Sequence, residues 1–446
     1  MRPPSAQSHD LAVVGAGAAG LWSALCAGRR LARKQLPPDR LSIVVLDARE
    51  KFGAKILMSG GTRCNLTHVE VTPDDFRGGN RNRIARVLRA MSEKEARRIF
   101  EEELGLPTKT EPNGKVFPAD DSARSVLQAL VRGLERHDIA VRGGSRCVDL
   151  VPKGDGRWQL HCVDPGGAPL PPLFARRVIL GTGGLSFPKS GSDGAGLEMM
   201  RRLGHTIVYP VPALTPVVLD SPYHAHLAGI ATPVALDYLE DGRSVARCVG
   251  PMLWTHFGLS GPAALDVSGL WARTRADRPT IRREVFASFL PEESTESLEA
   301  RWLESARRHP ASTLRTLVTD LPRRLLDTLL EHSGLDPARP LAQTPKDERR
   351  RALLALLRFP LPVIDVLGFN KAEVTSGGVP LEEIDPKMES RILPGIHLVG
   401  EMVHVDGRLG GFNFQWAWSS GCVAGESAVD ALLSPPGGDL TLHTRR

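Results

Sequence analysis

The apolar positions near the start of the chain form two short runs with a helical pattern between them. Residues 11–14 and 41–47 are mostly apolar, and a glycine or an aspartate bounds each run. Short apolar runs of this kind are typical of buried parallel strands. Residues 18–33 are rich in Ala, Leu and Arg and stop short of Pro37 and Pro38, which predicts a helix. The chain therefore opens with a predicted βαβ unit.

A second group of strands is predicted in the middle of the chain. Residues 146–151, 157–163 and 173–180 alternate or run apolar, and turns containing Gly or Pro separate them. Three such runs predict an antiparallel meander that leads into a glycine-rich segment. Amphipathic helices are predicted ahead of the meander, over 82–104 and 122–136.

The character of the chain then changes three more times. Short Val- and Pro-containing runs give way to a helical pattern rich in Leu, Arg and Glu, and strands and glycine turns return near the end. We expect a first domain that is split by an insertion. Its first part is 1–195, the insertion has a β-rich module in 196–290 and a helical subdomain in 291–362, and its C-terminal part is 363–446.

The composition indicates the cellular location and the kinds of partner that we expect. No apolar run approaches the roughly 18 residues of a membrane helix, so we expect no membrane partner. Residues 1–10 have neither an apolar stretch nor a cleavage site, and we interpret them as a disordered tail rather than a secretory signal. The six cysteines show no CxxC pair and no metal-ligand spacing. We therefore expect free thiols, no metal site and a cytoplasmic location.

The net charge of +6 indicates a partner that carries negative charge. A cofactor with a pyrophosphate or an anionic substrate would satisfy it, and so would nucleic acid. Aromatic residues make up only 5% of the chain, and no stacking platform accompanies the arginines of the insertion. We therefore expect a small-molecule substrate and no nucleic acid, while the oligomeric state stays open.

The first predicted strand ends in the pattern of a dinucleotide-binding turn. Gly15, Gly17 and Gly20 form G-x-G-x-x-G between the strand and the helix. These glycines allow the tight turn, the approach of a pyrophosphate and the packing of the helix, whose N-terminus faces the phosphates. Asp47 ends the next strand as the expected acceptor for a ribose 2′-hydroxyl, which favours FAD or NAD over NADP. Further expected contacts of the cofactor are Ala18, Ala19 and Ala48.

Small and polar residues fill the next segment, 51–67. Such a backbone can approach a planar ring or a phosphate closely, and its side chains can form hydrogen bonds. An ordinary loop with an Asx turn is an equally compatible interpretation. The candidate cofactor contacts are Lys55, Ser59, Gly60, Gly61, Arg63, Cys64 and Asn65.

The end of the meander offers another close approach to a cofactor. Gly181, Thr182 and Gly183 follow the last of its strands. We count these residues, together with Val148 of the meander, as candidate cofactor contacts. Ser192 or Asp193 is expected to cap the helix that comes next.

A related segment lies nearly 400 residues after the first glycine turn. Residues 396–399 predict a strand that leads into Gly400 and Glu401, whose carboxylate could accept hydrogen bonds from ribose or ribityl hydroxyls. A helix predicted from Gln415 to about Leu432 could direct its N-terminal dipole at one edge of a flavin and stabilise the reduced, anionic ring. The candidate contacts are Gly400, Glu401, Asp406, Gly410, Gly411, Phe412 and Asn413.

Five segments together resemble the BaiN/YhiN-like family of FAD-dependent oxidoreductases, also called aminoacetone-oxidase-like flavoproteins. In chain order they are 59–67, 182–189, 255–262, 374–379 and 400–421. The resemblance implies an α/β fold, with a split Rossmann-like FAD-binding domain, an inserted β-barrel-like module and a helical subdomain. It also implies that 59–67 and 400–413 line the flavin. Thr62 stands where relatives usually have glycine, and Phe412, where they often have tyrosine, lacks a hydroxyl for proton donation.

The family has been linked to reduction of an unsaturated steroid ketone and to amine oxidation. We expect an oxidoreductase that moves a hydride between flavin and a small organic substrate. NAD(P)H is the expected donor and would visit the substrate cavity, because a second G-x-G-x-x-G is absent. Alternatives are an amine oxidase that uses oxygen, an FAD enzyme that acts on RNA and a redox sensor without turnover.

Two side chains are candidates for catalysis. His256 could act as a general acid or base, because an imidazole titrates near neutral pH. Cys64 could face the flavin as a redox thiol. For both residues the competing interpretation is a purely structural role, as a loop histidine and as a packed, inert thiol.

Overall fold

The computed structural model describes residues 7–434, which form two compact units. The first, here the split unit, is built from residues up to Pro210 and from Glu373 onward. The second, here the inserted unit, is Val211–Ala372. Residues 1–6 and 435–446, which include most of the expected tail and the end of the predicted last segment, lie outside the described residues.

The described residues form 21 strands and 12 α-helices. The strands are β1 (Gln7–Val14), β2 (Ile43–Leu46), β3 (Thr67–His68), β4 (Phe76–Arg77), β5 (Thr108–Thr110), β6 (Lys115–Pro118), β7 (Ala140–Arg142), β8 (Arg146–Pro152), β9 (Trp158–Val163), β10 (Leu173–Leu180), β11 (Val208–Ala213), β12 (Val217–Leu219), β13 (Ala231–Glu240), β14 (Arg243–Thr255), β15 (Gly258–Ser260), β16 (Arg283–Ser288), β17 (Phe359–Leu361), β18 (Val363–Val366), β19 (Val374–Gly378), β20 (Ile396–Leu398) and β21 (Asp406–Gly407). The α-helices are α1 (Ala18–Arg33), α2 (Ala54–Thr62), α3 (Arg81–Ala90), α4 (Glu93–Arg98), α5 (Ala123–Glu135), α6 (Ala195–Arg202), α7 (Pro262–Asp277), α8 (Thr295–Arg308), α9 (Leu314–Leu317), α10 (Arg323–His332), α11 (Lys346–Leu357) and α12 (Phe412–Leu433).

The split unit is organised around one mixed sheet. Strands β7, β2, β1 and β10 lie side by side and run parallel. The far edge of β10 is shared, because β9 pairs antiparallel with its first half and β20 pairs parallel with its second half. Strand β8 completes the predicted meander beside β9. The nearly unbroken apolar sequence of β1, β2 and β10 follows from burial of the parallel part of the sheet.

Helices α1 and α12 pack closely against each other in the split unit. A Cβ added to Gly425 would lie 2.2 Å from the carbonyl oxygen of Ser23, so the two backbones can approach this far only because a glycine stands there. Trp22 of α1 lies 4.9 Å from Trp418 of α12, measured between ring centroids. These contacts join the N-terminal and C-terminal parts of the sequence into one core, as a split domain requires.

The inserted unit is built around a separate, antiparallel sheet in the order β17-β16-β13-β14-β15-β12-β18. Leucines of α10 and α11 and the large rings of Trp254 and Trp302 form its core. Helix α7 lies within the stretch expected to be β-rich, and this corrects the sequence interpretation. Its start combines Gly261 as N-cap with Pro262 at the first position, where the missing N–H of proline costs nothing.

Other elements differ from their predicted bounds for local reasons. The helix predicted over 82–104 breaks at Met91, whose backbone is extended, and restarts where the Ser92 side chain accepts a hydrogen bond from the Glu95 amide. It ends in a π-helical turn, Ile99–Glu103. Residues 7–10, expected in a disordered tail, belong to β1 because they pair with β10.

Candidate functional site

Four parallel strands of the split unit end at the same level of the sheet. Val14 of β1 pairs in register with Leu46 of β2 and with Leu180 of β10, and Leu180 pairs with Leu398 of β20. The residues that follow these ends are Gly15, Asp47, Gly181 and the pair Val399 and Gly400. The carboxyl ends of parallel strands form the usual ligand crevice of such sheets. Three separately recognised motifs therefore meet at one edge.

The turn after β1 depends on its glycines. Gly15 has a φ of +103°, and a Cβ there would lie 2.4 Å from the Gly181 carbonyl oxygen. A Cβ on Gly20 would lie only 1.8 Å from the Gly15 oxygen. A Cβ on Gly17, by contrast, would meet nothing within 4 Å. Gly15 and Gly20 are thus required by the fold, whereas Gly17 leaves open space beside the turn.

Asp47 is tied to this turn. Its two carboxylate oxygens accept hydrogen bonds from the backbone amides of Ala16, at 2.7 Å, and Arg49, at 2.8 Å. Burial raises the pKa of Asp47, and these two amides work in the opposite direction. Each oxygen keeps a further lone pair, with which it could accept a hydrogen bond from a hydroxyl group. Ala48, beside it, is half-buried.

The sequence allowed two interpretations of the segment 51–67, an ordinary loop or a cofactor site. In the structure this segment contains a distorted helix end. Ser59 has an extended ψ of 151° inside α2, and Gly60 and Gly61 then take left-handed values of φ, +55° and +67°. Left-handed backbone continues at Thr62, where most relatives were expected to have glycine, with a φ of +71°. Strain of this kind in a residue with a side chain often marks a functional site.

Two buried side-chain oxygens of the split unit have no hydrogen-bond partner among the described residues. They are Oδ1 of Asn65 and Oδ1 of Asp406, and both residues are at most 9% exposed. A buried acceptor without a donor costs free energy, so such atoms point to a partner that is not protein. Both residues belong to motifs that the sequence assigned to the cofactor.

Cys64 is completely buried and has a φ of +60°. Burial raises the pKa of its thiol to about 12, against which a hydrogen bond with Ser59 works only weakly. The thiolate is the reactive form of cysteine in redox and nucleophilic chemistry. Its environment therefore disfavours the redox role considered from the sequence and suits a packed thiol.

Arg63 is held by protein groups in this structure. Its guanidinium pairs with Glu111 at 2.6 Å and lies 3.5 Å from Asp121. It also stacks over the ring of Phe117, with 4.1 Å between the guanidinium carbon and the ring centroid. These contacts fasten the end of α2 to the β5–β6 hairpin.

Lys55 and Glu401 form an ion pair although 346 positions separate them in the sequence. Lys55 also donates to the hydroxyls of Ser186, at 2.9 Å, and Ser192, at 3.2 Å. Burial opposes ionisation of Glu401, but Lys55 and the donors around it lower the pKa of this carboxyl below its ordinary value. The Thr375 amide supplies one of these hydrogen bonds, at 2.6 Å.

Sequence reasoning missed the hydroxyls of this cluster. Ser192 was expected to cap α6, but the N-cap is Gly194 in a left-handed conformation, and Asp193 accepts the Ala195 amide from outside the helix. The Ser192 hydroxyl instead joins Lys55 to the carbonyl of Gly184. A contact between a hydroxyl and a lysine so far apart in sequence leaves no local pattern.

The C-terminal candidate segment, 400–413, leads into α12 through two glycines. Gly410 and Gly411 have φ values of +138° and +92°, and α12 begins at Phe412 without a side-chain cap, three residues before the predicted start. Asn413 closes this turn through both ends of its amide, on the amide and carbonyl of Gly407. The buried Phe412 ring stacks on His68, with 5.1 Å between ring centroids. The first amides of α12 thus lack side-chain acceptors.

The other candidate contacts in the split unit are placed as follows. Thr182 hydrogen-bonds the sulfur of Met402 at 2.7 Å. Gly183 has a φ of +77°, and a Cβ there would lie 2.4 Å from the Ser192 hydroxyl. Val148 on β8 is 40% exposed.

His256 lies in the inserted unit, between β14 and β15. The side chain is exposed, and its ring contacts Phe257 edge-on, with 5.0 Å between centroids. Its carbonyl oxygen is 3.1 Å from Nε2 of His224. All other sequence-predicted site residues belong to the split unit.

Two features are not found between residues 7 and 434. No helix there has both the length and the apolar character needed to cross a bilayer. No group of three or more His, Cys, Asp or Glu side chains in the same part of the chain is arranged to hold a metal ion.

Comparison with known proteins extends these observations. A family model described as the HI0933-like protein Rossmann domain matches residues 9–427. The 3-dehydro-bile acid delta(4,6)-reductase of Clostridium scindens is 30% identical over 424 residues, which is 95% of this chain and 99% of that protein. The ribosomal RNA dihydrouridine synthase of Escherichia coli K12 is 30% identical over 433 residues, which is 96% of this chain and 100% of that protein.

Solved structures agree at the level of the fold. The 3-ketosteroid delta1-dehydrogenase from Sterolibacterium denitrificans matches with a TM-score of 0.51 and 12% identity, over 95% of this chain and 100% of that one. The FrdA chain of an E. coli quinol fumarate reductase matches with a TM-score of 0.51 and 16% identity, over 98% of this chain and 73% of that one. The family match and the relatives confirm the resemblance found in the motifs: the chain belongs to the HI0933-like Rossmann family and is an FAD-dependent oxidoreductase.

Proposed function

We propose that this flavoenzyme reduces a carbon–carbon double bond that is conjugated to a carbonyl group in a small organic substrate. NAD(P)H is the proposed electron donor. The observation that carries the cofactor part of the proposal is the edge of the main sheet, where four strands end in register. The activities for which two relatives are named indicate the reaction.

The residues at this edge fit FAD. The open space beside Gly17 and the uncapped N-terminus of α1 suit a pyrophosphate, because the free amides of a helix start attract anions. The unpartnered Oδ1 atoms of Asn65 and Asp406 suit hydroxyl or ring N–H donors. A Cβ added to Gly17 would meet nothing within 4 Å, so the space beside this turn is open.

We assign roles to the chain's residues on this basis. The Gly15–Gly20 turn and α1 would hold the pyrophosphate, and Asp47 would orient ribose hydroxyls. Glu401, kept ionised by Lys55, would accept from ribityl hydroxyls. The N-terminus of α12 would stabilise the negative charge that reduction adds at one edge of the flavin.

The reaction class follows from what both relatives' names have in common. A delta(4,6)-reductase of a 3-dehydro bile acid and a dihydrouridine synthase both saturate a double bond next to a carbonyl. Reduced FAD supplies the hydride for such a reaction. The protein must then exclude water and deliver a proton, and the exposed imidazole of His256 is the proposed general acid.

A stopped-flow absorbance experiment without oxygen tests the proposal. NADPH or NADH should bleach the flavin of the purified protein, and a 3-oxo-4-ene steroid such as 4-androstene-3,17-dione should restore its absorbance with formation of the saturated ketone. The saturated steroid ketone is the matched control and should leave the flavin reduced. Bleaching by an amine, with reoxidation by dioxygen alone, would replace the proposal by an amine oxidase. A flavin reduced once, with no acceptor turned over, would indicate a sensor.

A second candidate is reduction of uracil within RNA. Two relatives, from E. coli and Haemophilus influenzae, are named ribosomal RNA dihydrouridine synthase, and both are 30% identical to this chain. The chemistry at the flavin would be the same, but the arginines of the inserted unit do not form a basic excess, since it has 20 Lys and Arg against 19 Asp and Glu. Retention on immobilised ribosomal RNA that falls steeply with salt, together with dihydrouridine formation, would favour this candidate.

A further inference from the structure

We propose that Cys147 and Cys162 form a peroxide-oxidisable pair that closes into a reversible disulfide across the β8–β9 hairpin. This inference does not depend on the substrate or the donor of the enzyme. It concerns a modification site in the split unit, and hydrogen peroxide is the class of oxidant.

The geometry of the hairpin places the two sulfurs together. Cys147 and Cys162 are direct partners in the antiparallel register of β8 and β9. Direct partners have Cα atoms about 4.5 to 5.5 Å apart, within the range of about 4.4 to 6.8 Å that disulfides span. As direct cross-strand partners their side chains point to the same face, which makes the two thiols neighbours. A bulge between Cys147 and Asp149 gives β8 local freedom to adjust.

The position of the pair allows an oxidant to reach it. Strand β8 is the edge strand of the sheet, and Cys147 is only half-buried, whereas Cys162 is 7% exposed. The Cys147 thiol donates to the Asp149 carbonyl, with 3.6 Å between sulfur and oxygen, and the neighbouring Cys147 lowers the pKa of the Cys162 thiol. Cys162 is therefore the sulfur that ionises first and Cys147 the one that follows.

The chemistry balances in two steps. The Cys162 thiolate attacks one oxygen of hydrogen peroxide, the O–O bond breaks, and the departing hydroxide takes up the thiol proton to leave as water. Cys147 then loses its proton and attacks the sulfenic sulfur, so that the S–S bond forms and the hydroxyl leaves as a second water. Two thiols and one peroxide give one disulfide and two waters, and a dithiol reductant reverses the change.

A second thiol pair provides an internal control. Cys26 on α1 and Cys422 on α12 are also in side-chain contact. They are 0% and 3% exposed, inside the closely packed α1–α12 interface. Contact between thiols is thus present in both pairs, and only the first is open to a solute at the sheet edge.

Mass spectrometry of the holoenzyme tests the proposal. The protein is treated with increasing hydrogen peroxide, blocked with N-ethylmaleimide, unfolded and digested. The expected result is a Cys147–Cys162 cross-linked peptide that disappears after dithiothreitol, while Cys26 and Cys422 stay reduced at the same peroxide concentration. The Cys26→Ser/Cys422→Ser variant should keep the cross-link, and Cys147→Ser should lose it and leave a dimedone-reactive Cys162.

A second measurement covers the case in which a serine variant folds poorly. In the unmodified protein, oxidation should raise the Tm by several degrees, because the new bond constrains the unfolded hairpin, and dithiothreitol should return the Tm to its starting value. The proposal is overturned if both thiols stay free at peroxide concentrations that oxidise surface methionines. It is also overturned if the Cys26–Cys422 pair cross-links first, because that order would indicate unfolding.

Discussion

The two units of this protein differ in how they use glycine and apolar side chains. In the split unit, glycines stand where strands end and let turns, backbones and a helix start come together at one edge. In the inserted unit, the sheet is antiparallel and the core is filled by leucine, tryptophan and phenylalanine side chains. The first arrangement leaves open space beside the Gly17 turn, and the second fills space with apolar side chains.

The difference teaches where a sequence carries functional information. A cofactor edge requires particular residue types at particular strand ends, because only glycine admits the close approaches and only a carboxylate supplies the acceptors. A packed core accepts many combinations of apolar residues of the right volume. The split unit could therefore be recognised from motifs, while the substrate of the protein could not.

The largest expected effect comes from the glycines of the first turn. Gly20→Ala should destabilise the fold by at least about 3 kcal/mol and abolish flavin binding, because its Cβ would lie 1.8 Å from the Gly15 oxygen. Gly17→Ala should leave the Tm of the flavin-free protein within about 1 °C of wild type, since its Cβ meets no protein atom, but it should reduce flavin retention. Flavin content per protein and thermal unfolding measure the two effects separately.

Gly368→Ala in the inserted unit is the matched control for Gly17→Ala. A Cβ there also meets nothing within 4 Å, and φ is not in the left-handed region. It should change neither flavin content nor Tm. If Gly17→Ala behaves like Gly368→Ala in flavin content, the assignment of the pyrophosphate to this turn is wrong.

The next effect tests whether the inserted unit takes part in the chemistry. His256→Gln should lower kcat by about 10²-fold without changing flavin content, because loss of a general acid typically costs this much. The exposed His226 of the same unit offers His226→Gln as the control, with expected wild-type turnover. The readout is the rate of flavin reoxidation by the enone in single turnover. An unchanged rate in His256→Gln would exclude His256 as the general acid.

A smaller effect compares one ion pair from each unit. Glu401→Gln should cost about 2 to 3 kcal/mol of folding free energy, because it leaves Lys55 charged in a mostly buried site. Asp237→Asn in the inserted unit breaks a pair whose side chains are 47% and 27% exposed, and it should cost about 0.5 kcal/mol or less. Denaturant unfolding of both variants gives the two values. Equal costs would show that the Lys55 cluster is no more than a surface contact.

Much of the split unit follows from local sequence. Helix α1 has its predicted bounds, Ala18–Arg33, because Gly17 and the prolines after it mark both ends. The meander follows from alternation of apolar positions, and it is confirmed. The helix over 82–104 was wrong in its continuity, because one extended residue, Met91, and one capping serine interrupt a pattern that stays amphipathic throughout.

The parts that could not be predicted depend on contacts between distant residues. Lys55 and Glu401 were each chosen as candidate contacts, but nothing in either segment indicates that they pair with each other or that Ser186 and Ser192 complete the cluster. The in-register ends of β1, β10 and β20 depend on sheet order, which follows from packing of the whole unit. Helix α7 was missed because buried residues lie on several of its faces, so its apolar positions do not repeat with a clear helical period.

The smallest expected effect is a pH dependence that originates in the split unit. His397 on β20 is completely buried, and burial lowers the pKa of its imidazole to about 4, with Glu389 and Asp385 opposing this shift and Arg177 adding to it. The imidazole of an unfolded chain titrates near 6.5, so between these values the unfolded state binds a proton that the folded state does not. Stability should therefore fall as the pH drops from about 6.5 to 4, by about 2 kcal/mol from this group at pH 5.

His397→Phe removes the titration and keeps a buried ring, so the variant should lose less stability than the wild type between pH 7 and pH 5. The exposed His309 of the inserted unit is the matched site, and His309→Phe should leave the acid profile unchanged because this ring is solvated in either state. Urea unfolding at four pH values between 4.5 and 7.5 gives both profiles. A profile of His397→Phe parallel to wild type would mean that the acid sensitivity lies elsewhere. A flattened profile would place it in β20, the strand that leads into Gly400 and Glu401.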